Sequence, residues 1–264
     1  MEMVDNSRRK PAVTARVSRT LTFDDLKAAL AAGWSDYRHH PQFGLFFAGI
    51  YVAAGLALGW ALFNEGAVAW LVPAAAGFPL LAPFCAVGLY DVSRRREAGL
   101  PLPWRGVLSS LKGRGDEQIL SMGVIIFVAF GFWLMIAHAI FAIFLSDSAS
   151  GSGTESLAFL MSRTGIAMLA VGSAVGALLA LGFYAVTVVS LPMLVDRDVD
   201  FMTAIITSLA AFRANTRALL TWAVLIAAAL FLAMLPAFLG LLVVLPVLGH
   251  ATWHLYRRLV TPQS

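Results

Sequence analysis

Cysteine is all but missing from this chain. Its single thiol, Cys85, has no second thiol to pair with, so an intramolecular disulfide is excluded and the redox compartment cannot be read. Charge is scarce as well. Only 13% of the 264 residues are charged and 59% are hydrophobic, whereas soluble proteins devote about a quarter of their residues to charge. Several apolar stretches reach the roughly 18 uncharged residues that a membrane helix needs. A water-surrounded domain with a single buried core is thereby excluded, and lipid is the main solvent.

Other absences narrow the function. No apolar region directly follows Arg8, Arg9, Lys10, Arg16 and Arg19, so residues 1–20 read as a disordered basic cytoplasmic tail and not as a signal peptide. No Gly-rich phosphate loop follows a strand, and the Ser-rich stretch 146–152 has no neighbouring histidine. No catalytic constellation results, and the chain is expected to be non-enzymatic. No Asp, Glu, Lys or Arg falls inside an expected span, which argues against ion-coupled transport. The net charge of +4 is accounted for by membrane orientation and by anionic lipid headgroups, so nucleic acid is not an expected partner.

What is present is a series of apolar blocks. Spans are expected at about 43–63, 68–90, 119–145 and 165–195, and the block 218–256 divides into two near Pro236. The fourth is too long for a bilayer, so it must tilt, bend at Pro192 or run past the interface. With six spans, every one of the 19 basic residues except Arg163 falls on one side. Cytoplasmic loops retain Lys and Arg, which puts both ends in the cytoplasm. The fold class is therefore all-α: a polytopic bundle of six transmembrane helices forming one domain over 21–258, with a short tail at 259–264.

An amphipathic piece precedes the first, third and fifth spans. The first carries Phe23, Leu26, Leu30 and Trp34 on one face, opened by Thr22 and Asp25 as a cap. The second carries Trp104, Val107, Leu108 and Leu111, and the third Phe201, Ile205, Leu209 and Phe212. These pieces suit cytoplasmic interfacial helices, and they divide the chain into three helix-plus-hairpin units starting near 23, 104 and 201.

Few residues invite chemistry. His250 and His254 are four apart, so they share a helix face at the spacing of a metal pair, and His39 and His40 lie at a similar depth. Without an acidic residue or cysteine at matching depth, the pair reads as interfacial anchoring beside Trp253 and Tyr256 before it reads as a metal site. His138 lies inside an apolar span, where bonding to a neighbouring helix makes it a candidate buried polar group. Gly172 and Gly176 are spaced to let another helix approach closely, in this chain or in a second copy. Pro73, Pro79 and Pro83 interrupt the second span and mark it as the place for a cavity. No cofactor is expected.

The run Ser190, Leu191, Pro192, Met193, Leu194, Val195, Asp196, Arg197, with Ala204, Ser208, Asn215 and Trp222 beyond it, resembles a family of uncharacterised bacterial integral membrane proteins known as a domain of unknown function. Tyr90, Ser93, Arg94, Arg95 and Gly99 match its first cytoplasmic loop. The resemblance spans roughly 20–258 and implies a six-helix protein of the bacterial inner membrane. Relatives sometimes carry the label of an oxidase subunit I, but five histidines do not supply a haem-copper core. The expectation is a non-catalytic accessory or scaffold component, associating with a membrane complex, such as a respiratory one, or with itself. The alternative is a lipid or small-molecule carrier using a cavity near the second span. A metal or haem protein ranks third.

Overall fold

The computed structural model describes residues 16–18, 20–64, 82–109, 118–146 and 161–261. Among these residues the chain forms β1 Arg16–Val17, α1 Phe23–His39, α2 Pro41–Asn64, α3 Ala82–Glu97, α4 Trp104–Ser109, α5 Gln118–Ser146, α6 Arg163–Asp196, α7 Phe201–Ala214, α8 Thr216–Met234, α9 Leu241–Leu259 and β2 Val260–Thr261. The fold is all-α, as the composition requires. Four helices, α2, α5, α6 and α8, are long and apolar enough to cross a membrane. The two other expected spans stand differently. Pro73, Pro79 and most of the second span lie outside the described residues, and α3 opens only at Ala82. In α9, His250, Trp253, His254, Arg257 and Arg258 dilute the apolar character.

The division of the block 218–256 holds. Between α8 and α9 the chain turns through Ala237 and Phe238, both at positive φ, a conformation costing an L-residue roughly 1–2 kcal/mol. Gly240 completes the reversal, because a Cβ there would sit 2.7 Å from the carbonyl oxygen of Ala233.

The length of α6 sorts the molecule into two layers. Its 34 residues span about 51 Å at 1.5 Å per residue, well beyond a hydrocarbon core of roughly 30 Å. Leu178 is 71% exposed, whereas Leu191 and Met193 are fully buried. The first part is apolar and bare, suited to lipid, and from Ala185 onward protein wraps the helix. The wrapping helix is α7, whose Ser208 hydroxyl donates to the Ala185 carbonyl (2.7 Å) and accepts from the Val189 N–H (3.2 Å), bridging one step of the α6 backbone.

Within the described residues, which leave out Leu111, the amphipathic pieces form helices, but they are not free surface helices. Thr22 and Asp25 make a reciprocal capping box at the start of α1. Its buried residues are Leu26, Ala29, Gly33 and Asp36, while Phe23 and Trp34 are exposed. The expected stripe of Phe23, Leu26, Leu30 and Trp34 is thus corrected by about a quarter turn. The reason is Gly33: a Cβ there would lie 2.5 Å from the backbone nitrogen of Ala251, so the missing side chain lets α1 lie directly on α9. Asp25 meets Arg258 (2.7 Å) near one end of this contact and Asp36 meets His254 (2.8 Å) near the other, so the two helices run antiparallel.

A common register links the three pieces. Each helix opens on an aromatic residue, Phe23, Trp104 or Phe201, and buries the residue three positions later, Leu26, Val107 or Ala204. α4 packs on α3, α7 on α6, and α1 on α9. The helices α3, α6 and α9 also pack on one another at the centre.

Residues 16–18 and 20 of the expected tail are among those described. Arg16 and Val17 pair antiparallel with Thr261 and Val260, and the Asn215 side chain accepts from the Leu21 N–H (3.1 Å) and donates to the Ser18 carbonyl (2.6 Å). Residues 1–15 and 262–264 lie outside the described residues.

Candidate functional site

Charge is buried in this bundle, although none falls inside an expected span. Asp36 is only 4% exposed and Asp91 1%. Both sit in the protein-wrapped layer, just outside the expected spans, which is why a search within the apolar blocks passes over them. Asp36 projects from the last turns of α1 into a cluster supplied by α3 and α9. Its Oδ2 accepts from Ser93 Oγ (2.5 Å) and from His254 Nε2 (2.8 Å), and its Oδ1 pairs with Arg96. Arg96 also reaches His39 Nδ1 (3.1 Å) and Ser35 Oγ (3.3 Å). Burial works against the carboxylate, but the hydrogen bonds from His254 and Ser93, with the positive charge around it, prevail and hold its pKa down to about 2.

His250 stands 2.8 Å from Ser93 Oγ through Nδ1. With the serine proton committed to Asp36, His250 donates from Nδ1, and its fully buried Nε2 keeps a lone pair with no partner among the described residues. Ser93 is fully buried. The cluster bolts α1, α3 and α9 together.

The arginine run is spent in the same layer. Asp91 accepts from Arg94 Nε (2.9 Å) and Arg95 Nε (2.6 Å), and Arg95 reaches on to the Gly106 carbonyl in α4 (3.1 Å). Glu97 takes Trp253 Nε1 (3.1 Å) and Arg257 (3.2 Å), while Asp196 at the end of α6 takes the Tyr256 hydroxyl (2.8 Å). The residues that suit cytoplasmic retention therefore also cement α3, α6 and α9.

The other sequence candidates fall apart from this cluster. His138 lies on the exposed face of α5 with its ring stacked on Phe141 at 6.5 Å, so it is not among the buried polar groups. Gly176 receives the indole of Trp133, which a Cβ would approach to 2.7 Å, whereas Gly172 faces open space. Only one of the two glycines thus packs a neighbour within the chain. His250 and His254 do share a face and a carboxylate, but no group of three or more His, Cys, Asp or Glu side chains stands in metal-ligand geometry among the described residues. Cys85 lies in the first turn of α3. Asp36 and Ser93 were missed; the signal that points to Asp36 is the small-residue series Ala29 and Gly33 on the same face, which marks a tight helix contact.

A cavity of about 440 Å³ opens between α6 and α8, two helices that do not pack along one another among the described residues. Ala177 and Ala180 of α6 and Ala223 and Ala227 of α8 leave it wide, and α3 and α9 form its back. Among the described residues its polar groups are few: Tyr90, Tyr184, Thr187 and Thr252, with no charged side chain. Thr187 and Thr252 donate to the carbonyls of Phe183 (2.9 Å) and Leu248 (2.8 Å) in their own helices. The Tyr184 hydroxyl is buried and has no partner among the described residues.

Long apolar helices around a protein-wrapped layer of ion pairs define an integral membrane protein. Residues 71–196 match the model of the family described as Predicted integral membrane protein (DUF2189), so a resemblance to a membrane family of unknown function is shown over those residues, with Ala204, Ser208, Asn215 and Trp222 beyond the match. No curated protein and no solved structure matches the chain.

Proposed function

We propose that this protein is a non-catalytic membrane protein that holds an apolar molecule of the bilayer in the cavity between α6 and α8. The observation that carries this reading is a space of about 440 Å³, within the roughly 300–1,000 Å³ of small-molecule sites, lined by alanines and other apolar side chains of α6 and α8. The back wall includes Ala86 and Tyr90 of α3, the second half of the proline-interrupted segment. Six spans in three repeated units, with both termini in the cytoplasm of a bacterial inner membrane, form the frame of this proposal. The shared register of α1, α4 and α7, the central packing of α3, α6 and α9, and the one-sided basic residues support it.

In that frame the joint between α6 and α8 corresponds to the joint between α9 and α2. The latter is filled by Phe43, Phe47, Leu241 and Leu245. The opening therefore follows from the residues at this joint and not from the architecture. Purification in mild detergent followed by native mass spectrometry should find a copurifying apolar species, absent from an Ala223→Trp variant that keeps its melting temperature. Equal occupancy in the variant would defeat the reading.

Association with a membrane complex or a second copy is the second reading, favoured by Gly172, whose small surface is turned outward from α6. Crosslinking through a cysteine at position 172 tests it; no dimer or heteromer in native membranes would exclude this face.

A further inference from the structure

We infer that the hydrocarbon held between α6 and α8 is one chain of an anionic phospholipid whose phosphate stays outside the cavity, on the guanidinium groups of Arg213 and Arg217. This inference rests on the cavity reading above and names the class of molecule that fills it.

Depth places the two arginines. The 19 residues of α8 rise about 28 Å at 1.5 Å per residue, close to the roughly 30 Å of a hydrocarbon core. A helix that just fills the core has its first turn, with Arg217, at headgroup level. A second measure agrees. Phe212, beside Arg213 in the last turn of α7, meets the Tyr184 ring (6.2 Å), at the step of α6 where the bare part gives way to the wrapped part. Both arginines are exposed, and neither guanidinium has a hydrogen-bond or ion-pair partner among the described residues. The arginines of α3 and α9, by contrast, are spent on carboxylates of the chain. Positive charge is thus left over at the corner of α7 and α8.

Register places the hydrocarbon. Arg217, Leu220 and Val224 stand at i, i+3 and i+7 on one face of α8, and the last two line the cavity. Helical side chains lean toward the N-terminus, so the Arg217 guanidinium extends away from the cavity toward the lipid surface while its stem lies on apolar ground. From Leu220 to Leu230 the lining runs about 15 Å along α8. That is half of the core, the depth of one leaflet. A chain seated there begins at a headgroup beside Arg217 and ends near the middle of the bilayer. Two arginines at that headgroup favour a net negative charge over a zwitterion, whose ammonium cancels its phosphate.

The protein also contains a control. Arg38, in the last turn of α1, is exposed and without a partner among the described residues, and it precedes α2 as Arg213 precedes α8. The joint between α2 and α9 is filled by Phe43 and Phe47. One joint therefore has free charge alone, and the other has free charge with a slot for a chain.

The test adds phosphatidylglycerol, phosphatidylcholine with the same acyl chains, or inorganic phosphate to the full chain in mild detergent, and reads occupancy by native mass spectrometry. Phosphatidylglycerol should outcompete phosphatidylcholine about five- to twentyfold, since each arginine near a headgroup is worth roughly fivefold. Inorganic phosphate should not displace it, having no chain for the cavity. Arg213→Gln combined with Arg217→Gln should bring the two lipids to parity with phosphatidylcholine occupancy and melting temperature unchanged, because neither guanidinium has a partner in the chain. Arg38→Gln should leave the preference intact. Parity in the wild type overturns the inference, as does a preference that survives the double substitution or falls equally with Arg38→Gln, or displacement by inorganic phosphate. Ala223→Trp separates the two levels. If it expels neither lipid, the cavity reading itself falls; if it expels both and the wild type shows no headgroup preference, only the ligand class falls.

Discussion

Replacing Asp36 by Asn keeps the shape of the side chain and removes its charge at the point where α1, α3 and α9 meet. Ser93 and His254 both donate to Oδ2, and Arg96 donates to Oδ1. An amide has one accepting end. Whichever way it is turned, its NH₂ faces a donor, and Arg96 loses its buried counter-charge. Breaking a buried pair by removing one partner costs about 3–5 kcal/mol. The Arg96 side chain is 28% exposed and recovers some hydration, so about 3 kcal/mol is expected. The matched control is Asp24→Asn on the same helix, whose pair with Lys27 is 90% and 79% exposed and should contribute less than about 1 kcal/mol. Reversible unfolding in mixed micelles, followed by tryptophan fluorescence, compares the two. The pH dependence adds a second reading. The Asp36 pKa is lowered from 3.8 to about 2, so its stabilisation is complete above pH 4 and is lost as the pH falls through about 2, a limb of about 2 kcal/mol. Asp36→Asn should lack that limb. If it unfolds like Asp24→Asn at neutral pH and retains the acid limb, the cluster does not hold the helices together.

Gly33→Val should separate α1 from α9, because its Cβ meets backbone atoms at 2.5 and 2.7 Å that cannot rotate away. A loss of at least about 1–3 kcal/mol is expected, and new proteolysis near residues 20–40 would report it; wild-type stability would refute the close approach. Reporter enzymes fused after Asn64, after Gly151 and at the carboxyl end should read outside, outside and inside, and an outside reading at the carboxyl end would overturn the six-span frame.

The architecture was legible where a local signal sufficed. Apolar length gave the helices, Pro236 located the reversal between α8 and α9, and Thr22 with Asp25 gave the capped start of α1. Partners far apart in sequence were not. Asp36 meets Ser93 across 57 positions and His254 across 218, and nothing in a helical period says which distant helix will cover a carboxylate. The face of α1 was misjudged for a related reason: large apolar side chains usually mark the packed side of a helix, but here an alanine and a glycine do, because the neighbour needs the room. The histidine spacing gave a shared face correctly and left its carboxylate partner unseen. The cavity was legible only as a region, since its width depends on alanines from two helices more than 40 positions apart.

The contact between α1 and α9 imposes an order on assembly. Among the described helices α1 leaves the ribosome first and α9 last, so the Gly33 groove stays uncovered throughout insertion and Asp36 waits for His254 until translation is nearly done. A chain stopped anywhere before Leu241 carries that acid without its histidine and that groove without its lid. The contact that joins the first described helix to the last can close only once α9 has been made.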